Sequence, residues 1–155
     1  MPYRHGRGES LPLSLSPAPR RALFPKGDAV DTEKAVFTIK VQIPNGPGLD
    51  LAHDIPVHAY GKFSAVVAAG ATDTPVSLPW GADAVASFLV IKPAKAAATL
   101  SYKANDSAST EVFVLDGPHV LCGGGAVGML AEKPLKLFFS NSGPADVAVE
   151  ILIGG

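Results

Sequence analysis

The hydrophobic pattern of the chain changes at residue 34. In "KAVFTIKVQI", residues 34–43, Ala35, Phe37, Ile39, Val41 and Ile43 fall on one side and Val36, Thr38, Lys40 and Gln42 on the other. Alternation with period two sends successive side chains to opposite faces of an extended chain, so this stretch predicts a half-buried strand. "PNGPG" then ends it with turn residues. Further strands are predicted over 57–68, 76–78, 86–92, 97–103, 110–115, 119–122, 135–140 and 146–153. "TLSYK" and "TEVFVL" alternate across the polar turn "ANDSAS", and "NSGPA" marks a turn between "KLFFS" and "DVAVEILI". "GADAVASFL" is the best short helix candidate, although Phe88 to Ile91 fits a strand better. Short strands at this spacing, broken by Gly, Pro, Asn and Asp, predict an all-β fold: an antiparallel β-sandwich or a jelly-roll-like barrel over 34–155.

Residues 1–33 follow neither period. Pro2, Pro12, Pro17, Pro19 and Pro25 lie among Ser, Gly and Arg. Each proline fixes φ and removes a backbone donor, so neither helix nor sheet propagates through them. This stretch predicts an extended N-terminal arm. Ordering such an arm costs about 1–2 kcal/mol per residue in backbone entropy, which a surface outside the arm has to offset: its own domain, a sister subunit or another protein.

Charge separates the arm from the rest. Residues 1–26 carry five cations, Arg4, Arg7, Arg20, Arg21 and Lys26, against Glu9, a net of +4. Residues 27–155 carry eight lysines against thirteen acids, a net of −5. A basic arm beside an acidic body favours docking on an acidic protein surface. The arm's candidate partner-binding residues are Arg4, Arg7, Arg20 and Arg21 together with the apolar Leu11, Leu13, Leu15, Leu23 and Phe24. The overall charge of −1 argues against general nucleic-acid binding.

Composition adds a bound. Hydrophobic residues make up 47% and charged residues 17% of 155, with a mean hydropathy of +0.25. A chain of this size buries roughly 70% of its unfolded surface. No apolar run approaches a membrane span of about 18 residues or more, so no membrane association is expected. "LPLSLSP", broken by two prolines and followed by Arg20 and Arg21, does not read as a signal peptide. The single cysteine, Cys122, excludes an internal disulfide.

Candidate chemistry is thin. In "HVLCGGGAVGML", Gly123, Gly125 and Gly128 match G-x-G-x-x-G, the spacing that cradles a pyrophosphate. That function needs a strand, a helix and a parallel βαβ unit. Here "AVGMLAEK" stops at Pro134, the surrounding pattern is antiparallel, and Glu150 alternates in "VAVEILI" with its charge free to face solvent. A glycine-rich turn or bulge with positive φ is the better account, and its apolar residues are expected to meet a protein surface. His5, His53, His58 and His119 form no local metal motif. Cys122 and His119, three apart on a strand, point to opposite faces. No G-x-S-x-G elbow is present. Trp80 in "SLPWGAD" is expected to seal the sandwich core, with sugar stacking as the alternative. No enzyme activity, cofactor, metal or small-molecule substrate is expected.

Residues 76–155, with "LPWG" leading into a strand, the apolar "FLVIK", the glycine turn and the closing "LFFSNSGPADVAVEILIGG", resemble small β-rich virion proteins of tailed bacteriophages. The resemblance implies a capsid cement or decoration protein on the outer capsid surface. Its partner would be the major capsid protein, its state a homotrimer, and its arm a clamp across neighbouring capsid subunits. The alternative is a carbohydrate-binding or tail-associated receptor-binding module that uses the loops around Trp80.

Overall fold

The computed structural model describes residues 33–80 and 85–155. The proposed arm lies outside them, apart from Glu33, which opens the first strand. The described chain forms, in order, β1 (Glu33–Gln42), β2 (Gly48–Val57), β3 (Tyr60–Val67), β4 (Thr74–Ser77), β5 (Phe88–Pro93), β6 (Leu100–Ala104), β7 (Phe113–Val114), β8 (His119–Cys122), α1 (Gly124–Gly128), β9 (Lys136–Asn141) and β10 (Val147–Gly154). The fold is an all-β sandwich. One sheet runs β3-β10-β5-β8 and the other β4-β9-β6-β7, while β1 and β2 form a separate two-stranded ribbon. Every strand pair is antiparallel.

Alternation builds the core. Along β10, Val147, Val149, Ile151 and Ile153 turn inward and are buried, while Ala148, Glu150 and Leu152 turn outward. From the facing sheet come Leu100, Tyr102, Leu137 and Phe139. Fully burying one such side chain is worth about 1.5–3 kcal/mol, so these facing rows hold the two sheets together. Trp80 packs in this core at 6% exposure, and its Nε1–H donates to the Pro134 carbonyl at 3.3 Å. The expectation that it seals the core is met.

The expected β6–β7 hairpin forms across "ANDSAS", with Ser101 opposite Val114 and Tyr102 opposite Phe113. "NSGPA" does not close a hairpin within one sheet. It carries the chain from β9 in one sheet to β10 in the other. Asn141, fully buried, holds that crossover. Its Nδ2 donates to the carbonyls of Val67 (3.2 Å) and Ala145 (2.8 Å), and its Oδ1 accepts from the Gly143 N–H (3.0 Å).

Three expectations need correction. The predicted strand over 57–68 is the end of one strand and the whole of another, broken at His58 and Ala59, whose N–H groups both reach the Gly155 carbonyl. Before that break lies an unpredicted strand, β2. It returns along the full length of β1, from Gln42↔Gly48 to Glu33↔Val57. The turn between them places Pro44 before Asn45, whose φ is 61°, and closes with Gly46 N–H on the Ile43 carbonyl. Proline followed by a positive φ is the type II signature. Lastly, the glycine segment contains one helical turn, α1, and not only a bend. Of the "GADAVASFL" candidate helix, Phe88 and Leu89 belong to β5, and residues 81–84 lie outside the described residues.

Candidate interaction surface

In an antiparallel ribbon, directly opposed residues share a face. The register of β1 and β2 therefore sorts the ribbon cleanly. One face carries the pairs Ala35–Ile55, Phe37–His53, Ile39–Leu51 and Val41–Leu49. The other carries Val36–Asp54, Thr38–Ala52 and Lys40–Asp50. The first is almost wholly apolar; the second is mostly polar, with charges of both signs.

Among the described residues, only the base of the apolar face is covered. Ile55 and Val57 are buried against Phe88, with Ala35, Phe37 and Cys122 packed around them. Phe88, Cys122, Gly154 and Tyr60 are neighbours across β5, β8, β10 and β3, so they form one row on the outer face of the first sheet. The ribbon crosses this row. Val57 and Ala35 share a groove of about 250 Å³ with Tyr60, Phe88 and Leu152, and the Phe37 ring packs against Phe88. From Thr38 to Asp54 no residue is buried, and Val41 (51%), Ile43 (53%) and Leu49 (67%) are exposed on the apolar side or at the tip. At about 3.4 Å per residue, the stretch beyond Phe37 is about 20 Å long.

The adjoining sheet face is also unusually apolar. Val120, Val90 and Leu152 lie side by side across β8, β5 and β10 and point outward. Val120 and Leu152 are exposed, and Val90 is half-buried. Beside them Glu150 bridges Lys62 (3.3 Å) and Lys92 (3.7 Å). The hydrogen bond and charge from Lys62, then the charge of Lys92, hold this carboxyl below the usual glutamate range. Glu150 thus faces solvent, as its alternation implies.

The other candidates resolve into structural roles. Gly123 has φ 95°, the positive φ expected of the loop, and α1 follows it. Val127 and Leu130 are buried in the core of their own domain, and only Met129 (83% exposed) is left for an outside surface. The strand before the glycines pairs antiparallel with β5, and the next strand after them lies in the other sheet. No parallel βαβ unit surrounds them, so a pyrophosphate cradle has no frame.

His119 and Cys122 do face opposite ways. His119 turns to the core side, where its Nδ1 and the Tyr102 hydroxyl share a 2.9 Å hydrogen bond. Cys122 turns outward under the ribbon. The Tyr102–His119 pair lines an apolar pocket of about 180 Å³ with Phe113, Leu121 and Leu130. Burial pushes the Tyr102 phenol up to about 12, so it stays neutral at ordinary pH. His53 sits on the ribbon opposite Phe37, and His58 lies in the bend after β2. Among the described residues, no three His, Cys, Asp or Glu side chains gather in a metal-binding group.

A lysine, an aspartate and a serine do meet on the outside of the second sheet. Lys103 Nζ is 3.1 Å from Asp73 Oδ1 and donates to the Ser107 carbonyl at 2.7 Å. Ser140 Oγ accepts the Asp73 N–H at 2.9 Å. Each polar group is engaged by a neighbour, so the cluster fastens loops and leaves no lysine poised as a base for the serine.

Arg4, Arg7, Leu11, Leu13, Leu15, Arg20, Arg21, Leu23 and Phe24 lie outside the described residues. Trp80, the alternative platform for sugar stacking, is buried. The ribbon and the Val120–Val90–Leu152 row escaped sequence reasoning, although alternation in "GLDLAHDIPV" carries half of the signal. No protein-family model, curated protein or solved structure matches the chain.

Proposed function

We propose that this chain is a structural protein of a tailed-bacteriophage virion, a cement or decoration protein that binds the outer surface of the assembled head. The observation that carries the reading is the apolar face of the β1–β2 ribbon, exposed at Val41, Leu49 and Leu51 beside a second apolar row on the sandwich. Soluble proteins that work alone seldom expose a long apolar stripe, whereas components of assemblies do. The resemblance over residues 76–155 points the same way. So does the charge asymmetry, which suits a basic N-terminal segment to an acidic protein shell. Binding is the activity, and catalysis has no part in it. The major capsid protein is the partner, and residues 1–26 act as the clamp.

The mechanism is linkage. A ligand that binds only the assembled shell stabilises it by its binding free energy, about 2.7 kcal/mol when free ligand is at 100 times its Kd. The experiment is co-sedimentation of the purified chain with heads of the phage that encodes it, combined with heat-stability measurements on those heads. The full chain should bind and raise the temperature at which heads open, and deletion of residues 1–26 should abolish both effects. A full chain that ignores assembled heads sinks the reading. A truncated chain that binds equally well removes the clamp.

A further inference from the structure

On one side of the sandwich the two edge strands are unequal. β8, the edge of one sheet, has four residues, and β7, the edge of the other, has two. α1, the turn made by the glycine run, packs into this side through Val127 and Leu130. It does not fill the space. A pocket of about 180 Å³ remains between Tyr102, Phe113, His119, Leu121, Ala126 and Met129. Tyr102 is buried and lies at its floor, whereas Met129, at 83% exposure, marks the side open to solvent. Protein interiors are close-packed, with few voids larger than a water molecule, so a pocket of this size calls for an occupant.

One hydrogen bond sets the chemistry of the pocket. Among the described residues the Tyr102 hydroxyl has a single partner, His119 Nδ1 at 2.9 Å. If Nδ1 carried the imidazole proton, the buried phenol O–H would be left without an acceptor, which is costly. The phenol therefore donates, Nδ1 accepts, and the proton of the neutral ring sits on Nε2. No acceptor for Nε2–H is found among the described residues, and none of their buried side-chain polar atoms lacks a partner. Nε2 is thus a free donor within reach of a solvent-sized molecule. Apart from this pair, the lining side chains are apolar.

Size and polarity select the occupant. An apolar cavity of about 150 Å³ is enough to hold benzene, whereas drug-sized ligands need roughly 300 Å³ or more. The pocket therefore takes one ring with a small substituent. Buried water makes about three hydrogen bonds, and the side chains here offer it one donor, so water is held weakly. The rings of Tyr102, Phe113 and His119 suit an aromatic neighbour, and the Met129 thioether suits a ring edge. No lining side chain carries a full charge to compensate an ionised ligand. We propose that this pocket binds a neutral, single-ring aromatic molecule whose oxygen accepts a hydrogen bond from His119 Nε2, with phenol as the simplest member of the class. The site shares no residue with the ribbon and stands independently of binding to heads.

The test titrates the full chain with phenol, benzene and cyclohexanol and reads two-dimensional NMR spectra. Phenol should give saturable shifts centred on Leu121, Ala126 and Leu130. Benzene has the ring without the oxygen, and cyclohexanol the oxygen without the aromatic ring. Each should bind at least about tenfold more weakly than phenol. Ala126→Leu puts a larger side chain into the pocket from α1 and should abolish the shifts. Tyr102→Phe and His119→Phe together remove both hydrogen-bonding partners at nearly constant shape, so the double variant should fold and bind phenol no better than benzene. The proposal is overturned if phenol gives no saturable shifts, if they centre on the groove between Ala35 and Phe88, or if they survive Ala126→Leu. Benzene binding as tightly as phenol to the unaltered chain also overturns it, as does a phenol preference that persists in the double variant. Nuclear Overhauser contacts from the Ala126 methyl to residues 1–32 in the ligand-free chain would show the pocket already filled and sink it equally. If Ala126→Leu fails to fold, Met129→Trp at the exposed side of the pocket takes its place.

Discussion

The rings of Phe37 and Phe88 meet edge to face, with centroids 5.3 Å apart and planes at 67°. Though distant in the chain, they tie the ribbon to the sandwich. Phe88 is buried, and its ring also fills the space that a side chain at Gly154 would need: an added Cβ there would lie 2.8 Å from the ring. Phe37 is only half-buried and reaches the sandwich from above.

This geometry predicts that Phe37→Ala frees the ribbon without unfolding the sandwich. The edge-to-face pair is worth about 0.5–1.5 kcal/mol beyond its buried area. Hydrogen exchange is the readout, since local opening is governed by local contacts. Amides of β1 and β2 should exchange faster, and those of β5 and β10 should be unchanged. Equal acceleration in β10 would show that the ribbon is integral to the core and not an appendage.

Asn141 yields the largest expected loss for a small change. Its side chain satisfies two carbonyls and one N–H in a buried crossover. Asn141→Ala strands all three, at about 1–3 kcal/mol for each group that water cannot reach. Denaturant unfolding should show a loss of at least about 2 kcal/mol, with Asn141→Asp no better, because it places a carboxylate beside the same two carbonyls. A loss under about 0.5 kcal/mol, the lower end for a single hydrogen bond, would mean that water takes over the amide's role.

Tyr102 predicts a pH dependence. Its phenol is raised from 10.0 to about 12 by burial. The unfolded chain releases this proton near pH 10 and the folded chain does not, so between pH 10 and 12 the unfolded state binds fewer protons. Stability from this group is constant below pH 10 and falls as pH rises through that window, by roughly 2–3 kcal/mol in all. Tyr102→Phe should flatten the decline and remove the late-titrating component from the ultraviolet absorbance of tyrosinate. A phenol that ionises near its ordinary value in the folded protein would contradict the burial.

These sites mark what sequence could and could not reveal. β1 and β10 are legible because each alternates over most of its length. β2 alternates equally well through Leu49, Leu51, His53, Ile55 and Val57. Asp50, Asp54 and Pro56 on its other face are poor strand residues, tolerated here because a free ribbon edge asks for no ladder donor from Pro56. Period two shows that a face is apolar, but not what covers it. The overhang of the ribbon therefore depends on where Phe37 meets Phe88, a tertiary fact. The same holds for Tyr102 and His119, joined only when β6 and β8 fall in facing sheets.

The glycine run supplies a last, sharper prediction. Gly123 alone of the run has a positive φ, 95° with ψ 144°, a region that side chains with a Cβ rarely enter. Gly123→Ala should cost about 1–3 kcal/mol in strain, although an added Cβ there would meet nothing within 4 Å. Gly125 and Gly128 lie in α1 without a positive φ, and a Cβ at either also meets only open space. Alanine at those two positions lowers the entropy of the unfolded chain and favours the helical turn, so each substitution should be neutral or stabilising by about 0.4–1 kcal/mol. A phosphate cradle would reverse this order, since it needs its second glycine for close approach of the ligand. Urea midpoints for the three variants decide the matter: if Gly125→Ala destabilises as much as Gly123→Ala, the run is more than one strained glycine followed by a permissive turn.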